Sequence, residues 1–477
     1  MFSVDTKSRW ILILEGIASA SVQFLVLRQT VPFVGSSVLT ASIIITIFLA
    51  ALAFGYQYGG KVLINYKKQL TRNLYISTAL LGIGISYPVV SFIFDTLNLL
   101  TSNISIINNP LVHLAIYSSI IMAPLIFFLA QTVPLMINNS HSERAAEAAG
   151  NTTALSTWGN VIGGLLSTLI FMYYLGIGWT IFINCLILGG CILYINYSDN
   201  GFPIKHAIQF TLLASLCFKL NVIYESHHFS TTTPYANYVI THNDSLKGKQ
   251  LVINRSNASF IDDTNRSGWP YIEIIKSHLS NKKYANANIL ILGAGGFSLT
   301  ADKKIIKNIT YVDIDPNIKE IAETYFLDSN INGDFVAQDA RAYLLKTDKK
   351  WDVIVVDVYS NLAVIPWHLT TTEFYQLLNS HLTYKGLAVL NVAANPYLED
   401  DFSMNLDQTI RSVLQRCVTD ITAYKDNKQS LVYLCHRKSG NMKSWVYRDD
   451  NTRATIDSYI ASINTEELNH EKPSTKE

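Results

Sequence analysis

Charge is nearly missing from the first 223 residues. They hold 10 Lys/Arg and 6 Asp/Glu, against 37 and 36 in the whole chain, so charge is about three times sparser there than in the rest. Such a stretch is excluded from ordinary soluble structure, in which about a quarter of residues are charged. Cysteine is also scarce. Cys185, Cys191, Cys217, Cys417 and Cys435 show neither CxxC nor Cys/His spacing, which argues against a zinc site and against a disulfide framework. Buried, reduced thiols are the expectation, with no metal. A net charge of +1 gives nothing for nucleic acid to be drawn to, so no nucleic-acid partner is expected. A small-residue cleavage pattern is missing after the first apolar run, so no cleavable leader is expected.

What the first part does have is long apolar runs. A helix needs about 20 apolar residues to span the hydrocarbon core. Candidate spans are 10–27, 37–58, 74–94, 111–137, 152–174, 178–197 and, as a weaker seventh, 204–223. Lys7 and Arg9 precede the first, Lys61, Lys67, Lys68 and Arg72 lie between the second and third, and Arg144 lies between the fourth and fifth. Basic residues stay on the cytoplasmic side, which sets the N-terminus inside. Because Lys205, His206, Gln209 and Lys219 interrupt the seventh segment, it is expected to lie in the interface or pack on the bundle without crossing, leaving six crossings. Gly55/Gly59 and Gly159/Gly163 have the spacing that lets helix backbones touch, and plain packing is their expected use. Glu15 is the one carboxylate well inside a span, expected to be structural or interfacial, with a transport path as the alternative.

The second part has ordinary soluble composition. Residues 233–260 read as short strands, and a helix is expected from Pro270, a residue suited to a first turn. From residue 288 strands alternate with helical patterns: strands at 288–292, 309–314, 334–338, 352–357 and 387–392, helices at 315–326, 340–346 and 372–382. Continuous apolar strands separated by helices predict a parallel sheet covered on both faces. A hairpin is expected over 419–425 and 430–436, and a disordered polar tail beyond it.

In such sheets ligands bind at the carboxyl ends of the strands. There the sequence sets Gly293-Ala294-Gly295-Gly296, then Asp313, Asp339 and Asp357, at four successive strand ends. Glycines admit a ligand close to the backbone, and an acidic residue after the second strand can accept both ribose hydroxyls. The third glycine of a GxGxxG dinucleotide fingerprint is missing, because Ser298 stands there. A nucleotide site is the expectation.

The motifs TPYANYVIT, WPYIEII, LGAGG, VDID, QDAR and VVDVYSNLAVIPWHLTTTEFY resemble those of the spermidine synthase (polyamine aminopropyltransferase) family, in its variants fused behind a membrane domain. The likeness covers roughly residues 230–437, and AFGYQYGGK and TWGNVIGG extend it into the first part. It implies a Rossmann-like, S-adenosylmethionine methyltransferase-type α/β domain with a small N-terminal β subdomain, behind an α-helical polytopic membrane domain. The expected boundaries are 1–223 for the membrane domain, 224–284 for the β subdomain and linking helix, 285–437 for the Rossmann-like domain, and 438–477 for a terminal extension. The resemblance further implies decarboxylated S-adenosylmethionine as co-substrate and a diamine such as putrescine as acceptor. It assigns Asp357 and Tyr271 to catalysis, Gly293, Gly295, Asp313, Asp339 and Ala340 to the adenosyl group, and Tyr235, Tyr359 and Ser360 to the second substrate. A bilayer and a second copy of the chain are the other expected partners, with the protein in a bacterial inner membrane and its C-terminal domain cytoplasmic.

The chain departs from the family pattern at four positions: Gly296 replaces an acid in the glycine loop, Ser360 the second Asp of DxxD, Ile272 a polar residue after Tyr271, and Ala236 a glutamine. The loop before the second strand is also short, which predicts a truncated helix. Two other functions stay open on these grounds. One is an S-adenosylmethionine-dependent methyltransferase, and the other a transporter or sensor that binds without turnover.

Overall fold

An apolar run can hide its backbone polar groups only by pairing them internally, and the first part of the chain does so by forming helices. The computed structural model describes residues 6–62, 65–102, 104, 107–139, 145–197, 201–302, 308–359, 365–425, 427–437, 447–449, 453–455 and 457–458. Two compact units divide the chain, one formed by Met1–Val34, Val38–Leu100 and Pro110–Pro234, the other chiefly by Tyr235–Glu477. The expected polar tail and most of the terminal extension lie outside the described residues.

In the first unit six helices among the described residues are long and apolar enough to cross a membrane: Thr6–Val34, Val38–Gly59, Pro110–Asn138, Ala146–Leu175, Ile177–Asn196 and Ile204–His228. The last, over the segment expected not to cross, is an unbroken 25-residue helix that meets the same length and hydropathy. Irregularity falls instead on the expected span 74–94, where helices Tyr66–Gly84 and Tyr87–Thr101 meet at 71°. Pro88 sits in the first turn of the second piece and cannot donate to the first. Side chains from three other helices cap the carbonyls freed at the break. Asn221 Nδ2 donates to Gly82 O at 2.7 Å, Tyr117 Oη to Gly84 O at 3.0 Å and Gln29 Nε2 to Ile85 O at 3.1 Å.

Both glycine pairs serve packing, as expected. A Cβ on Gly159 would stand 2.3 Å from Ile13 O, and one on Gly163 would stand 2.3 Å from Ile17 O. One on Gly55 would stand 2.6 Å from Phe127 O. Glu15 lies deeper along its helix than the expected span sets it. The helix starts at Thr6 rather than near residue 10, so Glu15 lies nine residues in, roughly 14 Å by helical rise. It is 2% exposed and makes no hydrogen bond among the described residues.

The second unit opens with antiparallel strands β1 (Asn237–Asn243), β2 (Gly248–Ile253) and β3 (Ser256–Asp262). Helix Pro270–Leu279 follows, with Pro270 in its first turn as expected. A seven-stranded sheet comes next: β4 (Ile289–Leu292), β5 (Ile309–Asp313), β6 (Asp334–Ala337), β7 (Trp351–Val356), β8 (Leu382–Ala394), β9 (Gln415–Ile421) and β10 (Gln429–His436). Their spatial order is β9-β10-β8-β7-β4-β5-β6. Strands β4 to β8 run parallel, and the β9–β10 hairpin adds antiparallel to β8. Leu290, Leu292, Ile354, Val389 and Leu390 are at most 1% exposed, as strands covered on both faces require. The chain leaves β4 toward β5 on one side and returns as β7 on the other, so a crevice opens at the carboxyl ends of β4 and β7. As the short spacing implied, the only regular structure among the described residues between Gly296 and β5 is the 3-10 turn Ser298–Thr300.

Two features differ from expectation. Helix Asp401–Val413, capped by the Asp400 side chain on Ser403 N–H at 2.8 Å, stands where no helix is expected, although Phe402, Leu406, Ile410 and Val413 recur at helical spacing. Cys417 and Cys435 form a disulfide rather than two separate thiols. They lie on neighbouring strands, and a register shift in β9 between Gln415 and Val418 brings their Cα atoms to 4.1 Å. Cys185, Cys191 and Cys217 are free and buried, as expected.

Candidate active site

The glycine turn is set by contact. Gly293 holds φ +89° directly after β4, and a Cβ there would lie 2.1 Å from the main-chain oxygen of Asp357. A side chain at Gly293 would therefore push apart the ends of β4 and β7. Gly295, at φ +49°, keeps the backbone open beside it. Gly296 is different. Its N–H donates to Ser259 Oγ at 2.8 Å, and a Cβ would come 2.4 Å from Phe326 Cε1. The place where the resemblance implies an acid is here filled by a Phe ring and a Ser from β3.

Asp313, the last residue of β5, points back at this turn. Its Oδ2 accepts the Ala294 N–H at 2.9 Å and its Oδ1 the Asp315 N–H at 3.0 Å. Burial raises its pKa above the ordinary carboxylate value, and those N–H bonds partly offset the rise. Asp315, 2% exposed, accepts the Tyr238 hydroxyl at 2.6 Å. Tyr238 thus links the small β sheet to the turn around Asp313, a role that sequence reading missed because an aromatic residue in a strand looks like core.

Asp339 caps helix Ala340–Lys346 by accepting the Ala342 N–H at 2.8 Å. His368 Nε2 stands 3.5 Å from its other oxygen and holds the carboxyl below its ordinary range. Ala340 is buried at the start of that helix. Asp313 and Asp339 therefore follow the two strands on one side of β4, and Asp357 follows the strand on its other side.

Asp357 directly follows β7. Tyr271 Oη donates to its Oδ2 at 3.0 Å, and Asn391 Nδ2 donates to its Oδ1 at 2.8 Å. Burial pushes the Asp357 pKa up, opposed first by the Asn391 bond and then by the Tyr271 bond. Burial, followed by the Asp357 charge, raises the Tyr271 hydroxyl well above its usual value. Tyr359, two residues on, donates to the main-chain oxygen of Asn391 at 3.0 Å, and burial raises its pKa too. Asn391 went unrecognised in the sequence because it stands inside the otherwise apolar run of β8.

Asp357, Tyr271 and Tyr359 are thus brought together. Tyr235 is exposed, 42% of its surface open. Ser360 lies outside the described residues. Ile272, 4% exposed, packs into the core with Ile275 and Leu279, so its departure from the family pattern is a packing change rather than a change at the carboxylate. Ala236 is likewise core, at 5% exposed.

Residues 270–440 match the spermine/spermidine synthase domain. A "Probable polyamine aminopropyl transferase" of Bifidobacterium longum is 36% identical over 134 residues, which are 27% of this chain and 29% of the relative. The polyamine aminopropyltransferase of Buchnera aphidicola is 27% identical over 173 residues, covering 34% of this chain and 57% of the relative. That of Oceanobacillus iheyensis is 25% identical over 284 residues, covering 53% and 54%. The chain therefore spans less than two thirds of the length of these relatives. Among solved structures, the spermidine synthase of Thermotoga maritima aligns with TM-score 0.35 and 17% identity, over 50% of this chain and 87% of that one. The C-terminal part of the chain carries a spermine/spermidine synthase domain.

Proposed function

We propose that this protein is a membrane-anchored aminopropyltransferase that moves an aminopropyl group from decarboxylated S-adenosylmethionine to a small amine. The observation that carries this reading is the Asp357 carboxylate, held by Tyr271 at 3.0 Å and Asn391 at 2.8 Å beside the glycine turn. The acceptor enters as an ammonium, R–NH3+, and cannot attack until it loses a proton. Asp357 takes that proton, and its raised pKa brings it closer to the operating pH of a general base. The amine lone pair then attacks the carbon next to the sulfonium. The C–S bond breaks with its electron pair moving to sulfur, leaving neutral methylthioadenosine and a secondary ammonium product. Sulfur leaves as a thioether and needs no acid. Gly293 and Gly295 admit the adenosyl group, Asp313 receives its ribose hydroxyls, and Asp339 with Ala340 borders the base. Tyr235, Tyr359 and Ser360 are candidates for the amine's remote end.

The six long apolar helices serve as the anchor, with the bent pair Tyr66–Gly84 and Tyr87–Thr101 entering and leaving on one face. Six crossings keep the C-terminal domain on the side of the N-terminus, where cytoplasmic adenosyl donors are available. The purified full chain is tested with decarboxylated and ordinary S-adenosylmethionine and a panel of amines. Methylthioadenosine as product supports the reading, whereas S-adenosylhomocysteine assigns a methyltransferase.

A second reading is favoured by the Cys417–Cys435 disulfide, since such bonds persist in oxidising compartments. With the bent pair counted as a seventh crossing, Lys7, Arg9, Lys61, Lys67, Lys68 and Arg144 all fall on the N-terminal side. The C-terminal domain then lies on the opposite side and acts as a binding sensor rather than an enzyme. Binding of adenosyl nucleotide without either product supports this second reading.

A further inference from the structure

Helix Pro270–Leu279 brings Tyr271 to Asp357 from its first turn. Its apolar side, with Ile272, Ile275 and Leu279, sits in the core and fixes its distance from the sheet. Apolar burial is non-directional, so it leaves the roll of the helix and its place along its own axis less well fixed. Polar contacts supply that constraint, and they converge on one short piece of chain. Lys276, 5% exposed, sets its Nζ 3.5 Å from Asp302 Oδ2 and donates to Glu273 Oε1 at 3.0 Å. Glu273 Oε1 also accepts the Gly268 N–H at 2.7 Å, which folds the entry to the helix back onto it. Arg266, just ahead of the helix, donates through Nε to Ala301 O and through Nη2 to Leu327 O, each at 2.9 Å. Ala301 and Asp302 directly follow the 3-10 turn Ser298–Thr300, by which the chain leaves the glycine turn. Two cations therefore tie that piece of chain to the helix that carries Tyr271. A buried ion pair adds little to stability, because desolvation offsets its attraction, and what it can give instead is a fixed geometry.

We infer that Lys276 is a positioning residue for the transfer reaction: by tying Asp302, just past the glycine turn, to the helix of Tyr271, it keeps the Tyr271 hydroxyl on Asp357. The inference rests on the aminopropyltransferase reading and adds to it a coupling between the donor loop and the general base. Lys276 acts through Tyr271, from five residues further along the helix, roughly 7–8 Å by helical rise. A slide of the helix by about 1 Å takes the 3.0 Å contact between Tyr271 and Asp357 out of hydrogen-bonding range. The ion pair opposes that slide. The loop that receives the adenosyl group and the hydroxyl that steadies the base therefore move as one body.

The experiment compares the full-length protein with Y271F, with the pair variant K276M/D302N and with the triple variant. Removing both members of the pair avoids burying the charge of one and leaves the net charge unchanged. Tyr359 and Asn391, the other groups at Asp357, stay as they are. For each protein, kcat is measured from acid to neutral pH at saturating decarboxylated S-adenosylmethionine and amine, at a temperature below its melt. In K276M/D302N the acid limb moves to higher pH, as in Y271F, because the charged form of Asp357 loses its hydroxyl donor. Turnover at neutral pH falls about tenfold, the loss of one hydrogen bond to a charged group, and Y271F adds nothing further in that background. An acid limb that stays in place, or one that Y271F still moves by its full amount in K276M/D302N, makes the ion pair a support of the fold alone and overturns the inference. If the unaltered protein forms no methylthioadenosine with any amine, the aminopropyltransferase reading fails before any substitution is made, and the inference falls with it.

Discussion

Tyr271 Oη and Asp357 Oδ2 stand 3.0 Å apart, although helix Pro270–Leu279 and the end of β7 are 86 residues distant in sequence. Tyr271 also packs against the hydrophobic core, and burial penalises the carboxylate charge. The pair is held against that cost, as the groups of catalytic sites commonly are.

Replacing Asp357 by Asn separates function from stability. Loss of a general base costs about 10²–10⁴-fold in turnover, so kcat should fall by that order while binding of methylthioadenosine persists. The folded-state pKa of Asp357 is raised, so its charged form opposes folding: this penalty is absent below the ordinary value of 3.8, grows as pH rises from there to the folded pKa and is constant above it. Asp357→Asn should therefore raise Tm at neutral pH and lose that advantage in acid, as read by thermal melts across pH.

Activity itself should show the same shift. Transfer needs ionised Asp357, so kcat falls on the acid side around a pKa lying above 3.8. Tyr271→Phe removes a hydrogen bond that favours the charged form, and should move this limb to still higher pH while lowering kcat roughly tenfold. A limb at or below 3.8 in the unaltered protein contradicts the assignment.

Gly296 tests whether the missing acid can be restored. An Asp there places Cβ 2.4 Å from Phe326 Cε1 and 2.9 Å from Ser259 Cβ. Overpacking of this kind costs about 1–3 kcal/mol. Gly296→Asp should lower Tm and leave donor binding no tighter by calorimetry. Tighter binding of decarboxylated S-adenosylmethionine in a stable variant contradicts this.

Sidedness can be read with a phosphatase or fluorescent reporter fused after Pro234. Fluorescence without phosphatase activity is expected from six crossings and a bent pair that returns to its own face. Phosphatase activity instead makes the bent pair a crossing and accords with the Cys417–Cys435 disulfide.

Much of this was legible in sequence because the signals were local. Charge depletion marked the helices, and glycine or aspartate at successive strand ends marked the crevice. What escaped depended on register or on distant partners. Asn391 reads as a polar interruption of an apolar strand until β8 is aligned with β7. The disulfide needs a one-strand register shift that no spacing of 18 residues announces. The break at Ser86 was hidden because hydropathy is continuous across it, and only the turn ahead of Pro88 marks it. Gly296 could be seen as a departure from family pattern, but the ring of Phe326, which makes a side chain there untenable, lies 30 residues away.

The most direct measurement is mass-spectrometric detection of both products when the purified full-length protein is incubated with decarboxylated S-adenosylmethionine and a primary amine. The account predicts methylthioadenosine and aminopropylated amine in equal amounts, both lost in Asp357→Asn. Formation of neither product, or of both undiminished in Asp357→Asn, contradicts it.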